Sequence, residues 1–220
     1  MIAGSAGGSV ADSLITFILA TSFLIVGGRR VDTAIRVIIM QGVLLTAATV
    51  TLGLVTGGHE VYFAALLTLI VKAGIIPYVL HWVQGRVQTD RETKSFVNIK
   101  MSLVICSALV VLAAAVTGRV LGDAPVLTAT ALPTAVSMML IGLFIMVSRK
   151  LAVMQILGLL VMENGIYLAG IGTATGLPLV VELGIFLDFL VGVLIMGILT
   201  FRINQTFDHV DTDNLKNLRG

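Results

Sequence analysis

Seven apolar stretches dominate this chain and leave few folds open to it. They run at about 12–28, 33–56, 61–83, 97–120, 128–148, 151–173 and 178–202. A helix needs about 20 apolar residues to cross roughly 30 Å of hydrocarbon. Inside lipid every backbone polar group must be paired within the protein, so stretches of this kind become helices. The reading is an all-α, polytopic membrane protein with about seven transmembrane helices. Composition agrees: 57% of the 220 residues are hydrophobic and only 12% are charged, against about 25% charged in soluble domains. A net charge of +2 is too small to suggest a nucleic-acid partner.

The basic residues give a direction. Arg29, Arg30 and Arg36 surround the first turn-around, and none lies in the second connection. Arg86, Arg91, Lys94 and Lys100 surround the third, while only Arg119 lies near the fourth. Arg149 and Lys150 fill the fifth, none lies in the sixth, and Arg202, Lys216 and Arg219 follow the last span. Rich and poor connections alternate through all seven spans, as positive-inside biasing requires. That pattern predicts the N-terminus outside and the C-terminus in the cytoplasm. Residues 1–10 contain no Lys or Arg, so the first run lacks the basic lead of a secretory signal and reads as a retained helix.

Against this apolar background a few ionisable side chains stand out. Glu163 and Asp188 fall near the middle of the sixth and seventh runs, and Lys72 near the middle of the third. With about 1.5 Å of rise per residue, all three lie close to one plane at mid-membrane. Ionisable groups at that depth cost several kcal/mol unless paired or wetted, and by default mark an ion or proton path. Glu182 lies shallower, towards the outside. Glu163 has Gln155 and Tyr167 on roughly the same face, at offsets of eight and four, with Asn164 beside it. Gly184 and Gly192 flank Asp188 at i−4 and i+4 and would let another backbone approach that face. Pro77 cannot bond to the carbonyl four residues back and crowds it, so the third helix should loosen beside Lys72. His81 lies towards the cytoplasmic end of that helix, and Arg36 and Gln41 read as stabilising the cytoplasmic end of the second.

These groups suit proton transfer better than bond-making. Desolvation drives a buried carboxyl towards its neutral form, and a nearby ammonium draws it back to the anion. A proton path would use Glu163, Asp188, Lys72, Glu182, His81 and Tyr167. The plainer alternative makes the acids interhelical ties. Sodium could use the same carboxylates but would need several more oxygen ligands. The single cysteine, Cys106, allows no disulfide within the chain and no thiolate cluster. The sequence shows no nucleotide-binding glycine motif and no nucleophile–base pair. No metal, cofactor or catalytic residue is expected in this chain.

At these residues the sequence resembles a known family. The stretches LIVKAGIIP (Leu69–Pro77), RKLAVMQILGLLVMENGIYLAG (Arg149–Gly170) and ELGIFLDFLVGVLIMGIL (Glu182–Leu199), with the ending VDTDNLKNLRG, carry the likeness. It is to hydrogenase-4 component E, a membrane subunit of formate hydrogenlyase-type group 4 [NiFe]-hydrogenase complexes. The last three helices also resemble the K-type subunit of respiratory complex I and the C-type subunit of Mrp cation/proton antiporters. The resemblance implies three parts: a four-helix membrane region over 1–127, a three-helix unit over 128–203 and a cytoplasmic polar tail over 204–220.

It further implies a non-catalytic subunit of a proton-translocating oxidoreductase complex in the inner (cytoplasmic) membrane. Antiporter-like and other membrane-arm subunits would be its partners. Iron–sulfur clusters, with or without a [NiFe] centre, would sit in other subunits. Alternatives are a subunit of a cation/proton antiporter and a purely structural anchor between antiporter-like subunits. Asp188, four residues before Gly192, matches the acid of the family's last helix. The sixth-helix acid is displaced: Gly158–Leu159 is followed by Leu160, and Glu163 comes about one turn (~5.4 Å) later. Lys72 and Glu182 match only the hydrogenase family pattern.

Overall fold

A computed structural model describes residues 2–56, 59–86, 95–121 and 130–172, together with Gly184 and Gly192. The elements are α1 (Ile2–Gly27), α2 (Val31–Thr56), α3 (His59–Thr68), a π-helical segment (Leu69–Ile75), α4 (Ile76–Arg86), α5 (Ile99–Leu121), α6 (Ala131–Ser148) and α7 (Ala152–Gly172). Among the described residues there is no strand, and Ser95 and Arg149 form an isolated bridge.

Among the described residues, five helices are long and apolar enough to cross a bilayer, in α1, α2, α5, α6 and α7. The third expected span is the continuous run α3–π–α4, whose apolar part is shorter, Ala65–His81. The expected seventh span, 178–202, lies outside the described residues apart from Gly184 and Gly192. The chain is therefore a multi-pass, all-helical membrane protein. α1 starts at Ile2, about ten residues before the hydropathy run, because its first turns are Gly-, Ala- and Ser-rich rather than apolar.

Hydroxyl side chains inside these helices are satisfied locally. Thr46, Thr49 and Thr51 of α2 and Thr117 of α5 each donate to the carbonyl four residues earlier, at 2.8–2.9 Å. This back-bonding lets polar residues sit in apolar segments without stranding a donor in lipid. Pro133 is tolerated in the first turn of α6, where the N–H it lacks would have had no helical partner.

α6 and α7 form the closest pair, and α7 also packs on α2. α1 lies along α2 and touches α5 and α6, while α2 also meets the π segment. Glycine explains the closeness of α6 and α7. A Cβ on Gly142 would stand 2.5 Å from the Gly158 carbonyl oxygen, and one on Gly158 would stand 2.8 Å from that of Gly142. A Cβ on Gly165 would stand 2.7 Å from the Ala135 oxygen. Gly158, Gly165 and Gly172 repeat every seven residues, two helical turns, so they line one seam. Small residues of this kind let membrane helices approach backbone to backbone. At about 100° per residue, Glu163 and Tyr167 lie about 160° around α7 from that seam. Closing the seam on α6 thus turns both towards α2.

One end of the bundle gathers the basic groups. The Arg149 guanidinium donates to the Val26 carbonyl at the end of α1. The Phe96 N–H donates to the Ser148 carbonyl at 2.9 Å, and Lys150 stands 4.5 Å over the Phe96 ring. The end of α1, the start of α5, the end of α6 and the start of α7 therefore share one side, with Arg29, Arg30, Lys100, Arg149 and Lys150. Arg149 is almost fully buried there. Its burial pushes the guanidinium below its ordinary value, and Cys106 nearby pulls the other way.

Candidate functional site

The π-helical segment is the local irregularity that builds the site. Its closing bond runs from the Ile76 N–H to the Val71 carbonyl, five residues back rather than four. Pro77 follows immediately and supplies no N–H to hold the next carbonyls in the α pattern. The expected loosening beside Lys72 is thus a wide turn with Lys72 at its centre. Such π-bulges recur at functional sites. Gly42 of α2 accommodates it: a Cβ there would stand 3.3 Å from the Lys72 carbonyl carbon and 3.4 Å from Lys72 Cβ.

From this turn Lys72 reaches α7. Its ammonium forms a hydrogen-bonded ion pair with Glu163 Oε1. It also donates to Asn164 Oδ1 at 2.9 Å and lies 5.6 Å from the centre of the Tyr167 ring. Lys72 is 4% exposed and Glu163 1%, so both charges are withdrawn from solvent and lipid. At close range in a poorly screened interior such a pair attracts strongly, while each ion gives up several kcal/mol of hydration. The cation–π contact with Tyr167 adds to the ammonium's side of that balance. Among the described residues, Glu163 Oε2 has no hydrogen-bond partner.

Polar groups extend the site away from the pair. Asn164 Nδ2 donates to Gln41 Oε1 at 3.0 Å. Gln41 Nε2 donates to Ser22 Oγ at 3.0 Å and to the Ile18 carbonyl at 3.3 Å. On the other side the hydroxyls of Tyr167 and Thr49 are 3.5 Å apart. Since Thr49 gives its own proton to Leu45 at 2.8 Å, Tyr167 is the donor in this long contact.

The sequence expectations meet this arrangement unevenly. Lys72 and Glu163, placed at one depth by the sequence, meet, and Tyr167, one turn from Glu163, lies against Lys72. His81 does not join them: it is exposed, with its Nδ1 2.9 Å from the Pro77 carbonyl of its own helix. Gln155, expected on the acid's face, is exposed two turns away and donates to the Arg149 carbonyl at 3.0 Å. Gln41 corrects the sequence reading more sharply. Expected at the cytoplasmic end of α2, it is instead fully buried ten residues inside that helix and belongs to the site. Ser22 is a member that sequence reasoning misses; its one signal is a hydroxyl inside the apolar run of α1. Asp188 and Glu182 lie outside the described residues. Of the two glycines flanking Asp188, a Cβ on Gly184 would stand 3.8 Å from the Tyr167 ring. Among the described residues no group of His, Cys, Asp and Glu could hold a metal ion.

No protein-family model matches the chain, and no solved structure gives a significant match. Among curated proteins it is 34% identical over 203 residues to the uncharacterized protein Rv0085 of Mycobacterium tuberculosis (strain ATCC 25618 / H37Rv), over 92% of each chain. It is 24% identical over 216 residues to hydrogenase-4 component E of Escherichia coli K12, over 97% of this chain and 99% of that one. The hydrogenase-4 component E of Shigella flexneri matches to the same extent.

Proposed function

This chain belongs to the family of the mycobacterial protein Rv0085, and on that premise we propose that it is a membrane subunit of a hydrogenase-type, complex I-related oxidoreductase complex. The full-length distant homology to hydrogenase-4 component E supports this assignment. The subunit carries no redox centre and makes or breaks no covalent bond in a substrate. Electron transfer belongs to partner subunits bearing iron–sulfur clusters, with or without a [NiFe] centre. Antiporter-like subunits are its neighbours in the inner membrane, with its N-terminus outside and C-terminus in the cytoplasm.

Its own contribution is proton movement through the bilayer. The observation that carries this is the buried Lys72–Glu163 pair on a π turn in mid-span. A proton passing from Lys72 Nζ to Glu163 Oε1 turns an ammonium and a carboxylate into an amine and an acid. The reverse step restores the ions. Either state is neutral overall, so charge arriving nearby can tip the pair without stranding net charge in lipid. Tyr167 sets its ring against the Lys72 side chain. Asp188 continues the path at the same depth, with Glu182 nearer its external end and His81 nearer its cytoplasmic end.

The experiment is proton pumping by the complete complex in sealed vesicles carrying Glu163→Gln or Asp188→Asn. Assembly should persist, and the number of protons moved per electron pair should fall. Normal ratios in both variants would refute the reading. Dependence on Na⁺ with no redox partner would favour an antiporter subunit.

A further inference from the structure

The hydrogen bonds that lead away from the ion pair have a fixed polarity. A main-chain carbonyl has no proton to give, so the Ile18 oxygen of α1 accepts only the NH₂ end of Gln41. That turns the Gln41 oxygen towards Asn164, whose NH₂ donates to it. The Asn164 oxygen is then left facing Lys72. Reversing either amide would set two donors or two acceptors against each other in a dry interior, where mispaired groups are expensive. The backbone of α1 therefore decides, two side chains away, what Lys72 meets.

We infer that Gln41 and Asn164 are positioning residues of the Lys72–Glu163 site, forming an amide relay anchored on the Ile18 carbonyl. It holds an acceptor against Lys72 in both charge states and closes the α1 side to protons. The inference rests on the reading that the pair exchanges a proton. When Nζ gives its proton to Glu163 Oε1, the new O–H points back at the lone pair left on Nζ. The amine keeps two hydrogens, one of them on Asn164 Oδ1, so neither amide has to turn.

An amide releases and replaces a proton far less readily than an amine or a carboxyl, so the relay orients without conducting. A proton on Lys72 leaves through Glu163, whose Oε2 has no partner among the described residues. Among the described residues, the groups around the pair and its partners fit this division. α1 and α2 present the neutral Ser22, Gln41 and Thr49, and α7 adds the Tyr167 phenol. Asp12 instead takes the Thr130 hydroxyl, Asp32 lies 3.7 Å from Arg30, and Arg36 is exposed.

The test is infrared spectroscopy at pH 7 on the assembled complex in native membranes. The protonated-carboxyl band of Glu163 is identified by its loss in Glu163→Gln. Gln41→Met keeps length and volume but removes the anchor, freeing Asn164 to turn its NH₂ towards the ammonium. The ratio of protonated to ionised Glu163 should rise at least about fivefold, equivalent to about 1 kcal/mol. Gln41 touches neither ionisable group, so a packing role would leave that ratio unchanged. Ser22→Ala removes one of the two acceptors of the Gln41 amide and should give a smaller rise. It decides the matter if Gln41→Met fails to assemble. An unchanged ratio in the assembled variant overturns the relay. Pumping that survives Glu163→Gln defeats the transport reading instead, and the band still decides whether the relay sets the pair's protonation.

Discussion

Breaking the Lys72–Glu163 pair one residue at a time, and then both together, offers the sharpest test of the site. Each single change strands the other charge in the interior. Removing one partner of a buried ion pair costs about 3–5 kcal/mol. A stranded group can limit that loss by neutralising itself. At pH 7 this takes about 4.6 kcal/mol for an isolated lysine side chain and about 3.7 kcal/mol for an isolated glutamate. Lys72→Met and Glu163→Met should therefore each lose about 3–5 kcal/mol, with Lys72→Met at the lower end. The double variant strands no charge, only the Asn164 oxygen that Lys72 had satisfied, and fills similar volume with apolar atoms, so it should fall no more than about 1–3 kcal/mol below the parent and above both singles. Equilibrium unfolding in mixed micelles, followed by far-ultraviolet circular dichroism, reads all four corners of the cycle. The bonds of Lys72 to Asn164 and Tyr167 vanish in Lys72→Met and in the double variant alike, so the cycle isolates the pair. A double variant as unstable as either single would refute the argument that the two charges neutralise one another. Single losses under about 1 kcal/mol would show that the charges are not withdrawn from solvent.

Four further outcomes follow from the geometry. Gly158→Leu should cost at least about 1–3 kcal/mol through overpacking, read in the same unfolding assay, because its Cβ would meet the α6 backbone under 3 Å. Pro77→Ala returns an N–H to the third span and should let the π turn relax to α. That re-registers Lys72 by about 100°, and proton pumping should drop as it does in Lys72→Met. Arg149→Leu removes the donor to the Val26 carbonyl and should cost about 1.5–3 kcal/mol, as for other hydrogen bonds to charged groups; Arg149→Lys, without the planar fork, should recover only part. Arg30→Cys, in a Cys106→Ala background, should react with an impermeant maleimide in intact cells only after the membrane is opened. Labelling of intact cells would reverse the assigned orientation.

Much of the architecture is legible because lipid imposes it. The apolar runs anticipate α2, α5, α6 and α7 to within about three residues at either end, since their boundaries are set by where apolar residues stop. Hydropathy starts α1 too late for the complementary reason: its first turns are small rather than apolar and do not register. Lys72 and Glu163 declare themselves by type and depth, because an ionisable group in mid-membrane is too costly to be incidental. Pro77 announces the break beside Lys72, since a missing N–H acts locally whatever surrounds it.

Partners are harder to read, because periodicity gives a face and not a neighbour. Gln41 and Ser22 look like ordinary polar residues in apolar helices. Only the packing of α1 on α2, and of α2 on α7, brings them to Asn164. Gln155 shares the acid's face in principle but stands two turns nearer the helix start, where it bonds to the Arg149 carbonyl. The seam of Gly158, Gly165 and Gly172 is visible in its spacing of seven, yet which helix it meets is not. By itself the sequence determined a bundle of membrane helices with ionised groups at mid-depth, because hydrophobic length and the cost of burying charge are properties of residues. Only the tertiary structure decided which charge neutralises which, and which backbone carbonyl orients them. Those choices depend on the rotation of one helix against another, and that rotation is set by close packing at a few glycines rather than by any single residue's preference.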